Sequence, residues 1–252
     1  MTPTESAANT DEGDPIASTV TILQPCFVPW RGVFRLIGRS DHFVFYDDVQ
    51  YDKHGWRNRN RILDGNGLSW ITIPVRGSTH VLLNRTEIDW NGNWVDKLMK
   101  RLVQVYAKRP HGALVVDLVR DSLAARPELI CNLSIQLTTT VAGILFGEAA
   151  PKFHRSSELM IEGGQSERLA LITKHLGGTV YLSGPSAFDY LDRPCFVEND
   201  IEVVWEDYEF PADHPTLDPA ASILDYLAEC WSESTQYVVA PQQRPPFARG
   251  SR

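Results

Sequence analysis

The chain has 252 residues, 43% of them hydrophobic, enough for one large core or two modest ones. Its formal charge of −8 argues against nucleic acid as a partner, because neutralising phosphates needs a net basic face. No apolar run approaches the roughly 18–20 residues of a membrane span, and residues 1–19 lack the basic and apolar regions of a signal peptide, so no membrane partner and a cytoplasmic location are expected.

Residues 1–18, MTPTESAANTDEGDPIAS, are small, polar and acidic and predict a disordered leader. Val20–Leu23 is a β-branched and apolar run that stops at Gln24-Pro25, and Phe43–Tyr46 is a second one that stops at Asp47-Asp48. Between them Val33, Phe34, Leu36 and Ile37 recur at helical spacing, which predicts a strand, loop, helix, strand unit with parallel strands. Arg59–Leu63 and Leu68–Val75 flank Asp64-Gly65-Asn66-Gly67 and predict a β-hairpin. Val81–Ile88 reads as another short strand, and Trp94–Tyr106 as a helix that ends near Arg109-Pro110.

The pattern from Ala113 to Phe146 is helical, broken at Pro127 and closed by Gly147. A further helix begins at Ser166-Glu167 and stops at Gly177-Gly178, followed by the strand Thr179–Leu182 and then Ser183-Gly184-Pro185-Ser186. Ile201–Trp205 reads as a strand and Ser222–Trp231 as a helix, with Ser222 as its cap and Asp225 in the capping-box position. The Pro- and Arg-rich residues 241–252 predict a disordered tail. The class is α/β: an open, mainly parallel sheet with flanking helices and a helical insertion at about residues 94–146. One domain over residues 19–240 is the simplest count, and the strandless middle can also form a subdomain or a lid.

Ligands of open parallel sheets sit beyond the carboxyl ends of the strands, which places Gln24, Asp47, Asp48, Gln50 and Ser183 at one crevice. Trp56-Arg57-Asn58-Arg59-Asn60-Arg61, if extended, puts Arg57, Arg59 and Arg61 on one face suited to a phosphate or carboxylate. Asn58 and Asn60 would add neutral hydrogen bonds, and the alternative is a solvated edge whose arginines pair with nearby aspartates. Asp47 and Asp48 can bind a divalent cation, act as a general base with a proton affinity raised toward neutrality, or hold the arginines. His54 lies close in sequence and can act with them, or be an exposed loop residue. The four cysteines, Cys26, Cys131, Cys195 and Cys230, include no CxxC pair and read as reduced thiols. Cys26 follows the first strand, where packing explains it better than nucleophilic attack. Asp213-His214 can close over the crevice or form a rigid surface loop between prolines. There is no P-loop and no dinucleotide-binding glycine turn, and the sequence identifies neither a metal nor a cofactor.

The segments QPCFVPWRG, DDVQ and WRNRNR, with SSEL at 156–159, ERLALITKHLGGTVYLSG, FDYLD and SILDYL, resemble the WbqC-like family in order over about residues 20–230. The resemblance implies a bacterial protein from neighbourhoods that build surface polysaccharides or natural products. It implies ligand-binding roles for Gln24, Asp47, Asp48, Gln50, Asn58, Arg59, Asn60 and Arg61. Members often carry a histidine where this chain has Leu98. The P-W-x-G turn is also similar to the P-x-x-G-H turn of nucleotidylyltransferases, with Val33 where their histidine falls, which argues against simple adenylyl transfer. The expected function is a transferase acting on a polar, anionic small-molecule substrate such as an amino-sugar, possible products including an amide. The alternatives are a nucleotidyl- or adenylate-forming transferase and a non-catalytic scaffold. Oligomeric state is not legible.

Overall fold

The computed structural model describes residues 17–76 and 80–239; the expected tail, and the leader up to residue 16, lie outside the described residues. The first unit folds as its spacing predicts: β1 (Thr19–Leu23), α1 (Arg31–Gly38) and β2 (His42–Phe45), with β1 and β2 parallel and Val20 opposite His42. After β2 come the hairpin β3 (Arg59–Asp64) and β4 (Gly67–Thr72), and the two-residue pair β5 (Val75–Arg76) and β6 (Glu87–Ile88). Three helices follow, α2 (Trp94–Tyr106), α3 (Gly112–Ala124) and α4 (Ile130–Phe146). The chain then returns to the sheet as β7 (Lys152–Arg155) and continues through α5 (Ser156–Leu159), α6 (Gln165–His175), β8 (Val180–Ser183), α7 (Pro194–Val197), β9 (Glu202–Trp205) and α8 (Ile223–Cys230).

The main sheet has five strands in the order β7-β2-β1-β8-β9, and each adjacent pair is parallel. The chain starts at the central strand, moves outward through β2 and β7, and crosses back to the other side for β8 and β9. Both faces are covered, and the side chains alternate accordingly. Phe43 and Phe45 enter a core shared with Phe34 and Ile37 of α1, Leu137 and Val141 of α4, and Leu224 and Leu227 of α8. Val20, Ile22 and Val44 enter a second core with Leu169 and Ile172 of α6 and Phe196 of α7. Leu98 is buried in the first core. With the turn that extends it to Ala149, α4 is long and apolar enough by composition to cross a membrane, but half of that window is buried in the protein, as a core helix requires.

Two expectations change. Residues 81–88 are not one strand: Leu83–Arg85 makes a turn of 3-10 helix, because the amides of Leu83 and Asn84 bond the carbonyls of Val49 and Asp47. At the start of α8, Ser222 Oγ caps the Leu224 amide, but Asp225 turns inward, fully buried, to the amide of Leu63 and the guanidinium of Arg109. Burial pushes the Asp225 carboxyl up to about 7, against the lowering effect of Arg109.

Candidate functional site

Because the connections leaving β1 and β8 run in opposite directions, they part at the carboxyl ends of these neighbouring strands, which is where open α/β sheets form their crevice. The loop after β1, Gln24–Trp30, forms one wall. Val28 is held at φ 38°, a conformation that costs a β-branched residue about 1–3 kcal/mol. Its carbonyl accepts hydrogen bonds from Asn60 Nδ2 at 3.0 Å and Ser222 Oγ at 2.7 Å, which hold the loop in place. The Trp30 indole lies on Gly32, so close that a Cβ there would sit 2.3 Å from the ring; the glycine of the P-W-x-G turn makes room for that ring.

The crevice has two chambers. The first, of about 460 Å³, is lined mainly by apolar surface and includes Cys26, Trp30, Trp56, Arg57, Arg61 and Tyr208. The second, of about 260 Å³, is more polar and includes Gln24, Tyr46, Gln165, Tyr181, Ser183 and Tyr190. Leu23, Arg57, Ser186 and Tyr208 line both and mark their junction. Arg57 reaches the Gln24 carbonyl at 3.3 Å and the Cys26 sulfur at 2.8 Å, while its Nε has no partner. Arg61 lies over Trp56, 5.4 Å from the ring centre, and its Nε is also unpartnered. Among the described residues neither guanidinium has a carboxylate within ion-pair distance. Burial pushes the Cys26 thiol up, with Arg57 acting in the opposite direction, so the thiol is not a ready nucleophile. Burial likewise raises the Tyr181 phenol, with a hydrogen bond from Ser183 acting against it, and both stay neutral polar groups at ordinary pH.

The two aspartates lie elsewhere. Asp47 is fully buried. Its Oδ2 accepts from Arg155 Nε at 2.9 Å and Ser157 Oγ at 3.0 Å, and its Oδ1 from the Ser157 amide at 3.1 Å, so both oxygens are engaged within the protein. Ser156 Oγ has one proton and is nearer to Asp48 Oδ1, at 2.6 Å, than to Asp47 Oδ1, at 3.2 Å. The other Asp48 oxygen accepts from Arg168. Burial acts to raise the Asp48 carboxyl, but the hydrogen bonds from Arg168 and Ser156 outweigh it and hold it below the ordinary carboxylate range. This is the reverse of the expected upward shift, and it removes the basis for Asp48 as a base near neutral pH. Asp48 faces an open groove with Met160–Gly163 and Arg168, which shares no lining residue with the crevice.

The remaining candidates divide. Gln24, Ser183, Arg57, Asn60 and Arg61 line the crevice. The Asn60 amide is spent on the carbonyls of Phe27 and Val28 and on the Arg61 amide; Asn58 is buried, donates Nδ2 to the Ile73 carbonyl at 2.7 Å, leaves its Oδ1 without a partner, and lines neither chamber. Arg59 donates to the carbonyls of His54 and Gly55 and lies over Trp70, so its nitrogens are engaged within the protein and it lines neither chamber. His54 is exposed in that turn and lines neither chamber. Gln50 is exposed and bridges Leu82 through its backbone. Asp213 pairs with Arg31, and His214 packs on Tyr237, 5.2 Å between ring centres. The sequence reading missed Arg155, Ser157 and Arg168 as partners of the aspartates, and Gln165, Tyr190 and Tyr208 as lining groups. Of the first set, Ser157 falls in the SSEL segment and Arg168 in the ERLALITKHLGGTVYLSG segment of the family resemblance, while nothing in the sequence pointed to Arg155. Among the described residues no cluster of three or more histidine, cysteine or acidic side chains is placed to hold a metal.

The fold is a doubly wound open α/β sheet, and its two-chambered crevice lies at the strand ends, where such folds form their clefts. Residues 24–237 match the model of the WbqC-like protein family, and the chain belongs to that family. It is 36% identical over 226 residues to an uncharacterized protein, Rv1507c, of Mycobacterium tuberculosis, an alignment that covers 87% of this chain and 96% of that one. No solved structure matches.

Proposed function

We propose that the chain is a transferase that holds an anionic small-molecule donor at Arg57 and Arg61 and a polar acceptor in the second chamber. The observation that carries this reading is the pair of guanidiniums at the crevice with no carboxylate partner among the described residues. A half-buried cation left unpaired is costly, and a phosphate or carboxylate supplies the charge and the planar hydrogen-bond geometry it lacks. Gln24, Ser183 and Gln165 offer neutral donors and acceptors to the second reactant.

Among the described residues no carboxylate lines either chamber, so rate enhancement would come from holding two reactants in line. An amine or hydroxyl of the acceptor attacks the donor, the bond to the anionic leaving group breaks, and that group departs on the two guanidiniums. The nucleophile's proton goes to the leaving group or to water. Inorganic pyrophosphate and citrate test the anion site. At least one should raise the thermal unfolding midpoint of the intact protein, by preferential binding to the folded state. Arg57→Ala and Arg61→Ala should each weaken that binding by about 2 kcal/mol, roughly 30-fold. Equal protection of wild type and both variants would overturn the reading.

A further inference from the structure

The first chamber is lined by three aromatic rings, Trp30, Trp56 and Tyr208, and is mostly apolar. That composition discriminates between anions. A polyhydroxylated sugar placed there would leave hydroxyls without partners, at a cost of about 1–3 kcal/mol each, whereas a flat heterocycle presents apolar faces to the rings and keeps its polar edge toward the mouth.

Tyr208 is held in place with unusual thoroughness. It sits at φ 55°, where a side chain other than glycine is rare. Its amide donates to Glu206 Oε1 at 3.0 Å. Glu206 is buried and accepts from Arg35 Nε at 2.7 Å and from Arg39. Two residues beyond Tyr208, Phe210 lies over the Arg31 guanidinium at 3.7 Å, and Asp213 pairs with the same arginine. Arg31 and Arg35 of α1 and Arg39 at its C-cap are spaced four residues apart, so one side of that helix and its end fasten the strap 206–213 on both sides of Tyr208. The Tyr208 ring meets Trp30 at 5.1 Å and its hydroxyl lies against Gly184, where a Cβ would come within 2.9 Å. Strain of this kind persists only where surrounding contacts enforce it, and here it sets an aromatic ring at the junction of the two chambers.

We infer that the first chamber takes a heterocyclic ring carrying a phosphate, a ligand of nucleotide type, with Tyr208 as the ring-contacting residue and Arg57 and Arg61 on the phosphate. The inference rests on the anion-binding reading above and specifies what bears the anion. The chamber, at about 460 Å³, lies within the range of ordinary small-ligand pockets.

The test compares adenosine 5′-monophosphate with ribose 5-phosphate by titration calorimetry on the full chain, since the second carries the same phosphorylated sugar with an anomeric hydroxyl where the first carries its base. The wild type should bind the nucleotide at least about tenfold more tightly, as base–aromatic stacking of about 1–3 kcal/mol implies. Tyr208→Ala should bring the two ligands to within about threefold while ribose 5-phosphate affinity stays the same, and Tyr208→Phe should keep the preference. Tryptophan fluorescence of the wild type provides a readout free of any folding defect in a variant: the nucleotide should quench Trp30 and Trp56, and ribose 5-phosphate should not. Equal binding of both ligands without quenching overturns this inference and leaves the anion site standing. Failure of both phosphates to bind overturns the inference and counts against the anion site as well.

Discussion

Charged groups at the ends of neighbouring strands meet opposite fates in this protein. Beyond β2, Asp47 and Asp48 are compensated by Arg155, Arg168 and two serines delivered from the far side of the helical insertion. Beside the loop that follows β1, Arg57 and Arg61 face a chamber with aromatic walls and, among the described residues, no carboxylate. A charge whose partners are built into the fold stabilises the scaffold, and a charge left unpaired at a cavity is available to a ligand. The acidic pair has the residue types of a catalytic site and the hydrogen bonding of a structural clasp, which joins β2 to β7 and α5. The arginines have the reverse.

The largest effect that can break this contrast is expected at Asp47. Removing the carboxylate in Asp47→Ala strands the Arg155 guanidinium and two serine donors, and should lower unfolding stability by about 3–5 kcal/mol in denaturant titrations. Arg57→Ala, by contrast, should cost anion affinity and change stability little. If Asp47→Ala proved neutral to stability yet abolished anion binding, the roles assigned to the two regions would be exchanged.

A smaller effect separates Asp48 by its pH dependence. Its carboxyl is depressed in the folded state, so its contribution is present above the ordinary carboxylate value near 4 and disappears as pH falls through the folded value. Wild type should therefore exceed Asp48→Asn in stability at pH 7, and the two curves should converge on acidification below about pH 4. Parallel curves down to acid pH would mean that Arg168 and Ser156 do not hold the ionised form.

The strands β1, β2, β8 and β9 were legible because each is a short apolar run with a polar stop, and their order along the chain sufficed to expect Gln24 and Ser183 at the same end of the sheet, where both line the second chamber. The edge strand β7 was not legible. Its sequence Lys-Phe-His-Arg has a single apolar residue, Phe153, and the contacts that explain its pairing are tertiary: Phe153 stacks on Phe45 and His154 stacks on His42, 5.1 Å between ring centres. The missing strand hid the function of Asp47, since Arg155 lies 108 residues away and no local spacing connects them. The Asp48 partner Arg168 sits on the exposed end of a helix that periodicity predicted, yet nothing in that periodicity says which way a long side chain reaches. Tyr208 belongs to an irregular strap whose position depends on arginines of α1, so its place at the crevice is a tertiary fact.

The finest division falls within the ribbon Arg57–Arg61. Alternation along an extended chain predicts three arginines side by side, but β3 begins only at Arg59, so Arg57 is positioned by the loop before it and reaches the Gln24 carbonyl and the Cys26 sulfur. Arg59 and Arg61 do share a face of β3, and both lie over Trp70, at 4.4 Å and 5.7 Å. They differ in what their nitrogens find. Arg59 is satisfied by the carbonyls of the turn at His54 and Gly55, whereas Arg61 has an orphaned Nε at the chamber wall. Arg59→Ala should accordingly cost about 0.5–1 kcal/mol of stability through the lost contact with Trp70, and leave pyrophosphate affinity within about twofold of wild type. Calorimetry on Arg59→Ala and Arg61→Ala side by side checks this: a loss of affinity in Arg59→Ala equal to that in Arg61→Ala would show that the turn at residues 54–55 opens to release a third guanidinium to the ligand.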